Sequence, residues 1–154
     1  MQPQPVQPIE ENLWWAIPGK LAGVRKPEAE ELPTLKAAGV GAIISVLEDS
    51  ENIRLYTSAQ IPHQWLPIEI DAAPSPEQLT LLDTFIQKQQ AEGRAVAVHC
   101  SGGKHRTGTA IAAYLIRQGA SYKQAMQTLL KANSAIELPD TQTDFLQQLA
   151  NANS

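Results

Sequence analysis

Residues 95–109 carry the signals of a strand, a loop and a helix start in one short stretch, AVAVHCSGGKHRTGT. It opens with a short apolar run containing β-branched valines, which is typical of a buried strand. A loop with two glycines follows, and residues 110–116 then predict an apolar helix. Because N–H groups point inward at such a loop and at a helix N-terminus, this order predicts a site for a phosphate-like dianion.

The side chains of this loop suit nucleophilic attack on phosphorus. Cys100 is the single cysteine of the chain, and a helix N-terminus with nearby cations can lower a thiol pKa from ~8.5 to about 3.5–7.5. Arg106 follows after five intervening residues and offers a planar fork that holds two phosphoryl oxygens at once. The hydroxyl of Thr107 can reach the sulfur and stabilise it as the leaving group of a second step.

The pattern of His-Cys, five residues and Arg-Thr resembles the signature of the cysteine-dependent protein tyrosine and dual-specificity phosphatases. The resemblance implies that Cys100 attacks phosphorus to form a phosphocysteine and that Arg106 binds the phosphoryl oxygens. It also implies catalytic roles for Thr107 and for His99, which would orient and polarise the cysteine. The substrate-binding residues that it implies are Ser101, Gly102, Gly103, Lys104, His105 and Arg106.

Other interpretations of the loop stay open. A cysteine before a helix can be a buried structural residue, and rhodanese-like sulfur carriers also place a cysteine loop before a helix. The usual rhodanese loop differs in length and lacks the flanking residue pairs, and low-molecular-weight tyrosine phosphatases carry their loop near the N-terminus. A non-catalytic phosphopeptide-binding module is a further hypothesis, against which Cys100, Arg106 and Asp71 all argue.

A candidate general acid lies upstream, in the segment 68–79 with the sequence IEIDAAPSPEQL. Ser75 is a favourable N-cap with Pro76 at the first helical position, so Asp71 lies in a loop between a strand end and a helix start. Phosphatases of the resembled superfamily carry their general acid on such a loop, which implies this role for Asp71. Glu69 is the rival candidate, and a purely structural acidic pair is the third interpretation.

The rest of the chain predicts further strands and helices. Residues 12–23, NLWWAIPGKLAG, predict two short strands joined by a Pro-Gly turn, with one of Trp14 and Trp15 in the core and the other partly covering it. This segment resembles the opening of the small, domain-only atypical dual-specificity phosphatases. Patterning and caps then predict a helix over 26–38 that Pro33 could split, a strand over 42–47, a short helix or irregular segment over 52–60, a strand over 63–68, and helices over 76–91, 107–118, 122–132 and 140–150.

The resemblance covers about residues 12–148 and implies one α/β domain. Its mixed central sheet of four or five strands would carry helices on both faces. We expect a flexible N-terminal segment over residues 1–10 and the dual-specificity phosphatase-like catalytic domain over residues 11–154. The loop 133–137 departs from the family's Arg-Pro-Gly-Ser-Ile-Glu segment, so substrate contacts from that side are not carried over.

Composition narrows the classes of function. A net charge of −4 over 154 residues argues against general nucleic-acid binding, so any anion site must be local. No apolar run approaches the ~20 residues of a membrane span, and the N-terminal residues lack a secretory pattern, so we expect a cytoplasmic location. We expect no cofactor and no metal, because no second cysteine joins His99 and His105 at ligand spacing.

Two hypotheses concern the substrate. The main one is a phosphorylated protein carrying phosphotyrosine, with phosphoserine and phosphothreonine as a further class. Residues 103–108, GKHRTG, also resemble plant and fungal atypical phosphatases that act on inositol pyrophosphates, so inositol polyphosphates or phosphoinositides are the alternative. Lys104 and His105 would then add cationic capacity for a polyanion; otherwise they are solvated residues that only raise the local potential.

Overall fold

The computed structural model describes residues 7–152 and shows a mixed β-sheet covered by helices. Within these residues the strands are Trp14–Ile17 (β1), Leu21–Val24 (β2), Val40–Ser45 (β3), His63–Trp65 (β4) and Ala95–His99 (β5). Their spatial order is β1-β2-β5-β3-β4. β1 pairs antiparallel with β2, and the other neighbouring pairs are parallel. The central strand β5 therefore ends at the edge of the sheet where parallel α/β folds bind ligands.

The helices pack on both faces of this sheet, so the predicted fold class is confirmed. They are Ile9–Asn12 (α1), Leu32–Ala37 (α2), Glu51–Ser58 (α3), Pro76–Ala91 (α4), His105–Arg117 (α5), Tyr122–Ala132 (α6) and Asp140–Ala152 (α7). One apolar cluster joins the sheet to α4–α7, and a second joins it to α1–α3. The chain thus forms a layered α/β domain with its core divided by the sheet.

Alternation along β5 explains how one strand supports both layers. Val96 and Val98 belong to the cluster with α4–α7, whereas Ala97 between them belongs to the cluster with α1–α3. This is the period of two that extended backbone imposes on side chains. Every residue of β5 is buried, so the loop that begins at Cys100 leaves a strand that is fixed on both faces.

The first predicted helix is wrong in its N-terminal part. Residues 26–28 are not helical, Ala29–Glu31 form a 3₁₀ turn, and α2 then begins with Pro33 in its first turn. A proline has no N–H to donate and is tolerated where helical N–H groups lack partners anyway. Pro33 therefore marks the start of the helix rather than an interruption within it.

The predicted strand over 63–68 is shorter in the structure and ends at Trp65. Pro67 cannot donate a ladder hydrogen bond, whereas the N–H groups on either side of it still bond to the end of β3 and the residue after it. The neighbouring strand β3 begins at Val40 and ends at Ser45, earlier at both ends than the predicted range 42–47.

The predicted hairpin and the predicted helix caps are confirmed. β1 and β2 form the hairpin, with Trp14 buried and Trp15 half-buried. The Ser75 hydroxyl accepts from the Gln78 N–H at 3.2 Å, and the Gln78 side chain accepts from the Ser75 N–H at 2.9 Å. Ser121 caps α6 in the same way. The cap at Ser75 fixes where the loop carrying Asp71 ends.

The predicted flexible segment over residues 1–10 overlaps the first helix of the structure, and the division at residue 10 stays a prediction. Residues 1–6 of the predicted flexible segment lie outside the described residues. Ile9 begins α1 and is 1% exposed, packed in the cluster with α2 and α3. Among residues 7–152, the helices are each too short or too polar to cross a lipid bilayer.

Candidate active site

The predicted strand, loop and helix lie in one continuous segment of the structure. β5 ends at His99, the cysteine loop (residues 100–104) follows, and α5 begins at His105. This loop borders a cleft of ≈210 Å³, which is lined by Ile70, Asp71, Cys100, Ser101, Gly102, Lys104, His105 and Arg106. A larger cavity of ≈690 Å³ lies between α2 and the start of β3 and is lined mainly by apolar residues. The smaller cleft is the candidate site, because it contains the thiol beside an acid and cations.

Cys100 is buried, with 3% of its surface exposed. Burial opposes ionisation of the thiol, but hydrogen bonds to the sulfur outweigh this effect and lower its pKa. They come from the Thr107 hydroxyl and from the backbone N–H groups of Thr107, Gly103 and Lys104, and the Gly103 nitrogen lies 3.2 Å from Sγ. The Thr107 oxygen is buried and has no other partner among the described residues, which leaves it free to serve the sulfur.

Gly103 determines the shape of the cysteine loop. Its φ of +76° lies in the left-handed region that favours glycine, and a Cβ there would lie 2.5 Å from the backbone at the end of β2. Its carbonyl accepts from Trp14 Nε1 at 2.9 Å, and the Ser101 carbonyl accepts from the Lys26 N–H at 3.1 Å. The loop is therefore held against the N-terminal hairpin and the residues that follow it.

Arg106 is a buried cation at the edge of the cleft, with 7% of its surface exposed. Its Nη1 donates to the Ile68 carbonyl at 2.8 Å and lies 3.8 Å from Glu48 Oε1. A buried charge needs such partners to offset the loss of water. Because Ile68 belongs to the Asp71 loop (residues 66–75, between β4 and α4), the guanidinium links the start of α5, directly after the cysteine loop, to the Asp71 loop.

Asp71 is exposed and lines the cleft, with a φ of +64° that side-chain-bearing residues seldom adopt. Its carbonyl accepts from Thr141 Oγ1 at 2.8 Å, and the carbonyl of Ala72 accepts from Gln142 Nε2 at 3.0 Å. The first turn of α7 therefore holds the loop in this conformation. The rival Glu69 is also exposed but does not line the cleft, so the geometry favours Asp71.

His99 lies beneath the cysteine loop and is fully buried. Its Nδ1 lies 3.1 Å from the Cys100 carbonyl, and its Nε2 lies 2.7 Å from the Tyr56 hydroxyl. Burial is the main reason that its pKa falls to about 4, and the Lys26 charge lowers it further. The ring is therefore neutral near pH 7, so Nδ1 donates to the Cys100 carbonyl and Nε2 accepts from Tyr56.

Tyr56 extends this series of hydrogen bonds away from the site. The Asn52 amide donates to the Tyr56 hydroxyl at 2.9 Å and to the Pro27 carbonyl at 3.0 Å. Burial raises the pKa of Tyr56, so its hydroxyl keeps its proton and can donate to His99. A buried line of neutral groups thus runs from α3 to the backbone of Cys100.

The other predicted binding residues lie at the mouth of the cleft. Ser101, Gly102, Lys104 and His105 are all exposed and line it. The positive charge of the mouth thus comes from Lys104, with the His105 imidazole beside it. Among the described residues, no group of three or more His, Cys, Asp or Glu side chains could hold a metal ion.

Several residues of the site were not identified from the sequence. Tyr56 and Asn52 reach His99 from α3, Thr141 reaches the Asp71 loop from α7, and Trp14 reaches the cysteine loop from β1. The sequence predicts one of Trp14 and Trp15 in the core but indicates no polar contact for it. The spacing of i and i+4 between Asn52 and Tyr56 puts both on one helix face, which was the one local signal available.

Comparisons with known proteins relate the chain to a family of phosphatase domains. A family model described as PTP-SAK, a Swiss Army Knife protein DSP-PTPase phosphatase domain, matches residues 10–148. The chain is 33% identical over 108 residues to the phosphatidylglycerophosphate phosphatase PTPMT2 of Arabidopsis thaliana, covering 67% of this chain and 47% of that protein. It is 33% identical over 103 residues to dual specificity protein phosphatase 12 of Homo sapiens, covering 64% of this chain and 28% of that protein. The chain thus spans about half, or less, of the length of these relatives.

Solved structures with the same fold cover nearly the whole chain. A crystal structure of Tk-PTP in the active form superposes with a TM-score of 0.81 and 26% identity, covering 91% of this chain and 97% of that one. The crystal structure of PTPMT1 in complex with PI(5)P superposes with a TM-score of 0.79 and 23% identity, covering 90% and 95%. The second likeness shows the shared fold alone.

Proposed function

The chain belongs to the DSP-PTPase family of phosphatase domains, and from that premise we propose that it hydrolyses phosphomonoesters through a phosphocysteine intermediate. The observation that carries the proposal is the meeting of three groups in one cleft. Cys100 with its lowered pKa, Arg106 and Asp71 all line the same ≈210 Å³ space. Each supplies one requirement of phosphoryl transfer: a nucleophile, an oxyanion partner and a proton donor.

In the first step, the Cys100 thiolate attacks phosphorus in line with the leaving oxygen. The S–P bond forms as the P–O bond to the leaving group breaks, and Asp71 gives that oxygen a proton. The backbone N–H groups of residues 101–106 and the Arg106 guanidinium hold the equatorial oxygens. On this assignment, Arg106 releases part of its contact with Glu48 to bind the substrate.

In the second step, water attacks the phosphocysteine and the S–P bond breaks. The Asp71 carboxylate takes the proton from water, so the acid is restored and inorganic phosphate leaves. The Thr107 hydroxyl and the loop N–H groups stabilise the departing thiolate. His99, neutral and hydrogen-bonded to the Cys100 carbonyl, orients the nucleophile without carrying charge.

The test is turnover of p-nitrophenyl phosphate by wild type and by Cys100→Ser. The serine variant should lose turnover, because an alkoxide is not available near neutral pH, and should still bind tungstate or phosphate. Arg106→Lys should also be severely impaired, since lysine cannot supply the bidentate fork. Hydrolysis by Cys100→Ser at more than a trace would reject the mechanism, and a wild type that binds but never turns over would favour a binding module.

The main substrate hypothesis is a phosphorylated protein, and a second candidate is a small polyanion such as an inositol polyphosphate or a phosphoinositide. The exposed Lys104 and His105 at the mouth support the second candidate, as do relatives named for a phospholipid phosphate. Ile70 adds an apolar surface beside them, with 70% of its area exposed. The cleft would then receive a phosphate with further charge and apolar groups around it.

A substrate panel separates the two candidates. If Lys104 binds a polyanion, Lys104→Ala should raise KM for an inositol polyphosphate several-fold more than for a phosphotyrosine peptide, in a salt-sensitive way. One exposed cation contributes about 1 kcal/mol or less, which sets this scale. Lys123→Ala, an exposed lysine on α6, is the matched control. Equal losses on both substrates would remove the support for the polyanion and favour the phosphoprotein hypothesis. The cytoplasmic location is a separate prediction, which this panel does not test.

A further inference from the structure

The N-terminal hairpin reaches the cysteine loop through one aromatic side chain. Trp14 lies in β1 opposite Gly23 of β2, and 5% of its surface is exposed. A Cβ on Gly23 would lie 2.2 Å from the indole ring, so the ring packs directly over the backbone at this glycine. The missing side chain at Gly23 is what allows the indole to reach the loop beyond β2.

The indole N–H of Trp14 is hydrogen-bonded to the cysteine loop. Trp14 Nε1 donates to the Gly103 carbonyl at 2.9 Å in a buried hydrogen bond. The N–H of the same glycine points at the nucleophile, with 3.2 Å between the Gly103 nitrogen and Cys100 Sγ. One residue therefore connects the indole to the sulfur, and that residue has no room for a side chain.

We propose that Trp14 is a positioning residue, whose indole N–H holds the Gly103 backbone so that the N–H groups of the cysteine loop face the sulfur and a bound phosphoryl group. The proposal rests on the proposed role of Cys100 as nucleophile. The adjacent glycines, Gly102 and Gly103, give this backbone more freedom than any other residues would. Turning the loop away would leave the indole N–H unpaired in the core, which is unfavourable.

Packing alone does not account for this contact. An aromatic ring of similar shape would fill the same space in the core, but it would leave the Gly103 carbonyl without its donor. The two roles can therefore be separated by removing the N–H while keeping the ring. The readouts must report on the loop rather than on stability.

The experiment measures the pH midpoint of Cys100 alkylation by iodoacetamide and the affinity for tungstate in Trp14→Phe. We expect the midpoint to rise by roughly half a pH unit or more, because the loop N–H groups would favour the thiolate less. We expect tungstate binding to weaken on the order of fivefold, the effect of one lost buried hydrogen bond. Both measurements work without turnover.

Trp65→Phe is the matched control, because it makes the same chemical change at another indole. Trp65 lies on β4, the edge strand furthest from the hairpin, and its Nε1 donates to the Leu47 carbonyl at 2.7 Å. This variant should lose a part-buried indole hydrogen bond and keep the alkylation midpoint and tungstate affinity of the wild type. An equal shift in Trp65→Phe would overturn the proposal.

A second variant covers the case in which Trp14→Phe does not fold. Incorporating 3-benzothienylalanine at position 14 keeps the two-ring shape and replaces the indole N–H by sulfur. A folded position-14 variant with the wild-type alkylation midpoint and tungstate affinity would overturn the role of Trp14. Turnover by Cys100→Ser, in contrast, would reject the nucleophile while leaving both loop measurements intact, so the two failures are distinguishable.

Discussion

The two loops that meet in the cleft are built in opposite ways. The cysteine loop leaves a strand that is buried on both faces, and the backbone of the loop is held by Trp14 of the hairpin and by Lys26, which follows the hairpin. The Asp71 loop is exposed around its acid, and two side chains of α7 hold that part of it. Arg106, in the first turn of α5 after the cysteine loop, donates a hydrogen bond directly to the Asp71 loop.

The difference matches what each loop has to do in the proposed reaction. Oxyanion donors are effective only when they are fixed in place before the reaction, because reorganising them would cost the energy they supply. A proton donor needs only to reach the leaving oxygen at the right moment. A rigid cysteine loop beside an exposed acid suits substrates with leaving groups of different sizes.

Gly103→Ala tests the rigidity of the cysteine loop and carries the largest expected effect. Its new Cβ would lie 2.5 Å from backbone atoms at the end of β2, so the loop must move. We expect kcat/KM for p-nitrophenyl phosphate to fall by about 10³-fold or more, since each oxyanion donor contributes about 10²–10³-fold. Gly93→Ala, at a glycine that also has a positive φ but has open space around it and lies outside the cleft, should keep wild-type turnover. Near-normal turnover in Gly103→Ala would show that the cysteine loop is adaptable.

Asp71→Asn tests the exposed acid of the Asp71 loop. We expect kcat for alkyl phosphates to fall by about 10²-fold or more, with a smaller loss for aryl phosphates, because a good leaving group needs less protonation. The decline of rate at high pH should also flatten, since the variant has no carboxyl group to supply the proton. Rates for both substrate types across pH provide the measurement. If Glu69→Gln gave this pattern instead, the acid would be Glu69.

The buried His99 beneath the cysteine loop should make the stability of the protein depend on pH. The pKa of His99 falls from its ordinary 6.5 to about 4 in the folded protein, so the unfolded chain binds more protons between these values. The free energy of unfolding should therefore decrease as pH falls from 6.5 to 4, by roughly 3 kcal/mol at most. Urea unfolding at several pH values measures this. His99→Gln should have a flatter profile, and an unchanged slope would contradict the assignment.

Thr141→Val carries the smallest expected effect and tests whether the loops are independent. It removes the hydroxyl that holds the Asp71 carbonyl, so we expect kcat for alkyl phosphates to fall by about fivefold. Aryl phosphate turnover and the pH midpoint of Cys100 alkylation should not change. Thr143→Val, which loses a contact within its own helix, is the control. A shifted alkylation midpoint in Thr141→Val would show that the two loops act as one unit.

The cysteine loop could be predicted because its information is local. Strand, glycines and helix follow one another within residues 95–116, and each makes its signal over a few positions. Asp71 could be placed on a loop because the cap at Ser75 is also a local signal. The helix over 26–38 was predicted too long at its start, because Pro33 is compatible with the first turn of a helix as well as with a break inside one.

The residues that hold the two loops could not be predicted in the same way. Trp14 lies 89 positions from Gly103, Thr141 lies 70 from Asp71, and Tyr56 lies 43 from His99. No periodicity or spacing encodes a contact between such distant positions. These contacts follow from the strand order and the packing of helices on the sheet, which become definite only when the whole domain has assembled.

The strand order also determines when this site can form during synthesis. β2 and β3 are neighbours in the sequence but not in the sheet, because β5 inserts between them. As the chain leaves the ribosome, the hairpin and the β3–β4 pair therefore present open edges until residues 95–99 emerge. Since such long-range pairings form late and leave edges exposed to other chains, the nascent chain is most vulnerable to aggregation just before its cysteine loop is made.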